Sequence, residues 1–184
     1  VDPTSRSLQS PIGGDPSIRR AGGGRISAGK AMDCCSVTTI HRVSTSAEPQ
    51  LTLNEANALV GVRSLMAEAS RRGADRSVAG RHVAVVLLDS AVEAALAVCL
   101  GRFGDSANER GTLADLHKRL SGTTKTAFPG WREVGRLRRA RNLAHHHQIP
   151  VDPEALAGFF GPVAEYLDAA VRSTFGIRIT DVAL

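Results

Sequence analysis

From Leu51 onward, apolar residues recur at three- and four-residue steps, the period of amphipathic helices. Thr52-Leu53-Asn54-Glu55 has the form of a capping box, with Thr closing a helix start and Glu reaching back. A first helix is expected from there to about residue 72, its buried stripe made by Leu59, Val62, Leu65, Met66 and Ala69, with Gly73 as its stop. A second helix, about 77 to 103, is apolar nearly all round through Val83, Val86, Leu87, Ala91, Ala94, Ala95 and Val98, and so belongs in the centre of a bundle. A third, Thr112 to Leu120, opens on a polar cap and gives way to a loop from Ser121 to Gly130. A fourth runs from Trp131 to His146 along a thin seam of Val134, Leu137 and Leu143. Asp152-Pro153 starts a fifth that continues to Gly176, and Pro162 inside it predicts a kink or break. The pattern predicts an all-α bundle of about five helices over residues 50–178, with 179–184 as a short extended tail.

Residues 1–49 keep no helical or strand period and hold Pro3, Pro11, Pro16, Gly22-Gly23-Gly24 and many Ser and Thr, so they read as a disordered tail. One reading starts translation at Met32. Gly22–Gly24 lacks the Lys-Ser/Thr ending of a phosphate loop.

Hydrophobic residues make up 42% of the 184 and aromatics only 4%, so the core must be built from small aliphatics, which suits helix on helix. Cys34, Cys35 and Cys99 form no Cys-x-x-Cys pair and no disulfide framework, which points to a reducing, cytoplasmic setting. No signal peptide is recognised, and the run Val83–Leu88 is stopped by Asp89, so no membrane span is expected. The formal charge of +5 favours a polyanionic partner.

That charge concentrates on the fourth helix. Arg132, Arg136, Arg138, Arg139 and Arg141 stand against Glu133, and His145, His146 and His147 follow. One reading is a solvated basic face whose histidines suit the negative end of the helix dipole. The sharper one is ribonuclease chemistry. Cleavage by the 2′-hydroxyl needs a base, an acid and a cation on the phosphoryl oxygens. Histidine titrates near neutrality, and arginine grips phosphate with a planar fork. Such chemistry needs no metal or other cofactor. Consecutive histidines on a helix cannot all face one ion, so a metal site there is disfavoured.

Arg141-Asn142, three further residues and His146, on a late Arg-rich helix of an all-α chain, resemble the Arg-polar-x-x-x-His signature of the HEPN superfamily; the likeness covers about residues 52–176. The resemblance implies that Arg141 binds the scissile phosphate, that His146 is the general acid or base, and that Asn142 orients the histidine or contacts RNA. It implies a metal-independent endoribonuclease acting as a homodimer, serving as a toxin or anti-phage component and controlled by an antitoxin or nucleotidyltransferase partner. Other members of that superfamily only bind partners.

Helix geometry adds a complication. Arg141 and His145 share a face, whereas His146 lies roughly 140° further round the axis. The family pattern selects His146, with His145 in support. His146 can meet Arg141 of its own chain only if the helix end distorts or a phosphate bridges the two; a second copy offers another route. Arg132, Arg136, Arg138 and Arg139 are the expected RNA contacts. Asp89 and Glu93, four residues apart on the apolar second helix, point the same way. They either pair with arginines of the fourth helix, orienting Arg141, or face solvent or bridge to Arg81 or Arg102. His117 is read as a surface or core residue, and Trp131 as a base-stacking ring or a packing anchor. A non-catalytic helical module binding protein, nucleotide or RNA is the competing function, and a groove-binding regulator a weaker one.

Overall fold

A computed structural model describes residues 50–105 and 111–183 of the chain. The segment 1–49, with Met32, Cys34 and Cys35, lies outside the described residues. Five α-helices follow in order: α1 (Leu53–Ala74), α2 (Val78–Arg102), α3 (Leu113–Thr124), α4 (Trp131–His147) and α5 (Pro153–Phe175). No strand occurs among the described residues, and the fold is all-α.

Side chains fix the starts of α1, α2, α3 and α5. Thr52 accepts from the Glu55 N–H while the Glu55 carboxylate takes the Thr52 N–H at 2.7 Å; Thr112 and Asp115 repeat the arrangement at α3. Ser77 caps α2 and Asp152 caps α5, with Pro153 in its first turn.

The ends differ more from expectation. Gly73 does not stop α1, which runs to Ala74 and is capped by Asp75. The helix α3 extends through Thr124, taking part of the expected loop, and ends at Lys125 in the left-handed conformation. Nor does Pro162 break α5, which is continuous through it. The stretch read as an extended tail contains a short 3-10 helix, Ile179–Asp181, and Ile179 and Val182 are buried against the core.

Helices α1 and α2 form an antiparallel hairpin. Its far ends are tied by Arg102, whose Nη1 donates to both Glu55 oxygens at 3.1 and 3.2 Å. Helix α2 packs against α1, α3, α4 and α5, so it must be apolar on most sides. An 18-residue window of it has mean hydropathy 2.2, and by length and composition alone it could cross a bilayer. More than half of that window is buried by the surrounding helices, as for the central helix of a bundle. Leu59, Val62, Leu88, Val92, Leu96, Leu137 and Val163 are fully buried at the centre.

Helix α4 is seated at both ends. At its start, Gly130 adopts φ +77°, and a Cβ there would fall 2.3 Å from the Pro162 carbonyl oxygen. Only glycine allows that approach of α4 to α5. At its end, the Ile149 N–H reaches back to the Leu143 carbonyl at 3.3 Å, and Arg81 Nε donates to the Val151 carbonyl at 2.8 Å. The end of α4 is thereby held beside the start of α2.

Candidate functional site

The phase of α4 decides which arginines face inward. Its buried residues are Val134, Leu137 and Ala144, not Leu143, which is 38% exposed. Steps of three and four along that stripe place Arg141 between Leu137 and Ala144, on the side facing α2. Arg138 falls on the same side. Arg132, Arg136 and Arg139 are exposed.

Asp89 is the acid that α4 meets. It is 2% exposed, the one buried charged residue among those described. Arg138 Nη1 donates to Asp89 Oδ2 at 2.7 Å and also to Glu93 Oε1. Arg141 Nε lies 3.6 Å from the same Asp89 oxygen, and Arg141 Nη1 donates to Asn142 Oδ1 at 3.0 Å. Both acids therefore pair with Arg138 of α4 and not with Arg81 or Arg102; Asp89 is buried, while Glu93 stays partly open to solvent. Arg138, expected to contact RNA, is instead committed to this internal cluster.

The cluster is not fully satisfied. Asp89 Oδ1 and Arg141 Nε are buried without a hydrogen-bond partner. Burial is the dominant influence on Asp89 and pushes its carboxyl above the usual range, against the pull of Arg138 and Arg141. Burial also works against the charge on Arg138. Glu93 and Asp89 outweigh it and hold that proton more firmly than usual.

Beyond Arg141 the side chains open to solvent. Asn142, His145, His146 and His147 are exposed in the last turns of α4. The His145 and His146 rings meet edge to face, with centroids 4.9 Å apart. His145 also faces His82 of α2, at 6.4 Å and 84°. Arg141 is thus turned toward α2 while His146 stands on a different, exposed face of the same helix. His82 carries no motif and is 63 residues from His145 in sequence, so only the antiparallel packing of α2 and α4 reveals it.

Trp131 is a packing anchor. Its ring stacks flat on His117, with centroids 3.8 Å apart and planes 4° from parallel. His117 Nδ1 lies 3.0 Å from the buried Tyr166 hydroxyl, and burial lowers its pKa. Trp131 is therefore engaged within the fold and not presented to a base.

Compared with protein-family models, with curated proteins and with solved structures, the chain finds no match.

Proposed function

We propose that this chain is a metal-independent endoribonuclease of HEPN type. The observation that carries this reading is the seating of Arg141. Its guanidinium lies between the buried Asp89 carboxyl and Asn142 Oδ1, one turn before the paired imidazoles of His145 and His146. A guanidinium held in place before substrate arrives can stabilise developing phosphoryl charge without reorganising.

In the reaction, a base removes the 2′-hydroxyl proton and the 2′ oxygen attacks the adjacent phosphorus. The bond to the 5′ oxygen breaks, and an acid protonates that oxygen. The products are a 2′,3′-cyclic phosphate and a 5′-hydroxyl, and DNA, lacking the 2′-hydroxyl, resists. Arg141 holds the phosphate, His146 transfers a proton, and His145 supports it. Because Arg141 and His146 stand roughly 140° apart on one helix, a homodimer brings His146 of one copy to the phosphate held by the other. Exposed Arg132, Arg136 and Arg139 follow the RNA backbone. Such an activity suits a cytoplasmic toxin or anti-phage component, held in check by an antitoxin or nucleotidyltransferase partner.

Purified protein should cut RNA in the presence of EDTA, and Arg141→Ala or His146→Ala should lower the rate at least about a hundredfold, the usual scale for losing an acid–base group or an oxyanion partner. No cleavage of any RNA by folded protein would overturn the assignment.

One observation favours a second reading, a non-catalytic RNA- or partner-binding module. A single chain turns Arg141 toward Asp89 and His146 outward, and so does not itself bring the two together. Binding that is lost with Arg132→Ala, Arg136→Ala or Arg139→Ala but indifferent to His146→Gln would select it.

A further inference from the structure

The start of α2 and the end of α4 line an open cleft of about 440 Å³, of which the proposed reaction engages only His145, as the support of His146. Val78, Ile149 and Pro150 give it apolar walls; His82, His145 and Gln148 give it polar groups. Its volume falls in the range of small-molecule sites, roughly 300–1,000 Å³.

The two imidazoles define what it can hold. They stand nearly perpendicular, at 84°, so a planar guest stacked on one ring meets the edge of the other. Among the described residues no carboxylate pairs with either ring, which leaves their ring nitrogens available to a ligand. A metal would need further ligands, and no group of three or more His, Cys, Asp or Glu suited to an ion forms among the described residues. A flat heterocycle with a hydrogen-bonding rim satisfies both features: one face stacks, while the rim reaches an imidazole and the Gln148 amide. Nucleobases have that form, and base stacking on ring side chains tolerates any base.

Position points the same way. Arg141 and His145 are four residues apart on one face of α4, about 6 Å along its axis. A base in the cleft therefore adjoins a phosphate held at Arg141.

We infer that this cleft is the base-binding subsite for the nucleotide next to the scissile phosphate, an assignment that rests on the nuclease reading for its place in the reaction but not for its binding. His82 and His145 are its recognition residues.

Free nucleosides and nucleoside 5′-monophosphates, titrated into the full chain and followed through imidazole chemical shifts, test it. The His82 and His145 signals should move with nucleosides that carry no phosphate. His145→Ala and His82→Ala should each weaken binding roughly tenfold, within the range expected for a lost stacking partner. His82→Phe, which keeps a ring, should recover part of the loss, and that separates stacking from misfolding. His147→Ala, exposed on the last turn, should bind as the parent does. Nucleosides that leave both signals still, or binding indifferent to both substitutions, would overturn the subsite. If nucleosides bind at His82 while RNA stays intact with EDTA, the nuclease reading falls and the base site stands.

Discussion

Burial and charge pull in opposite directions at Asp89. Its carboxyl accepts from Arg138 and lies near Arg141, yet Oδ1 has no partner and desolvation outweighs both cations. A carboxyl raised above its unfolded value binds more protons in the native state than in the unfolded one. Between the unfolded pKa and the folded one, stability therefore falls as pH rises. The stability of the parent relative to Asp89→Asn, measured by urea unfolding, should decline as pH climbs from about 4, the unfolded value for Asp. A gap that widens with pH would mean that Arg138 and Arg141 dominate instead. Asp89→Ala also removes the acceptor of Arg138 and should cost about 1–3 kcal/mol, together with a loss of nuclease rate through misplaced Arg141. Unchanged stability and activity would remove any orienting role for this residue. The choice of α4 over solvent, Arg81 or Arg102 as the neighbour of Asp89 and Glu93 was open in the sequence, but their common direction, as two acids four apart on one helix, was legible. Which arginine they would take was not. A seam through Leu143 leaves that open; the buried stripe runs through Ala144 instead, and Arg138 faces the acids of α2.

Helix starts were more legible than helix ends for a physical reason. A start is fixed by a side chain a few residues away, as Thr52 and Glu55 or Thr112 and Asp115 show. An end is fixed by what the next segment can reach. Lys125 and Gln148, neither of them glycine, end α3 and α4 in the left-handed conformation, and Gly73 is passed over. The Ile179–Asp181 turn exists because Ile179 and Val182 find the core, which no local pattern announces. The caps also carry a pH dependence opposite to that of Asp89. Hydrogen bonding from the Thr52 N–H, with help from the Thr52 hydroxyl and Arg102, holds the Glu55 carboxyl below its ordinary 4.5. Its contribution is present above that value and is lost as pH falls through the lowered folded pKa. Glu55→Gln should therefore lower the thermal midpoint at neutral pH, and the difference from the parent should shrink under acid conditions. Thr52→Ala, which removes the cap oxygen, should cost about 1 kcal/mol. A Glu55→Gln penalty that is constant with pH would show that packing, not charge, is what Glu55 contributes.

For the whole molecule the question is which of its cations are free to meet a polyanion. The formal charge is +5, but the basic residues are not equivalent. Arg138 is neutralised from within by Asp89 and Glu93, and Arg102 by Glu55. Arg132, Arg136 and Arg139 lie on the outward side of α4. Counterion release depends only on charges that reach phosphate, and each such contact to single-stranded RNA contributes about 0.7 to the slope of log affinity against log salt. Arg136→Ala and Arg139→Ala should each flatten that slope by about this amount while leaving stability near the parent's. Arg138→Ala should do the reverse, lowering the urea midpoint, since it strands the buried Asp89, while leaving the slope unchanged. The contrast separates a surface that binds RNA from one that is merely basic. If all three substitutions changed the slope alike, the internal ion cluster would have to open on binding, and Arg138 would then be a ligand for RNA as well as a partner for α2.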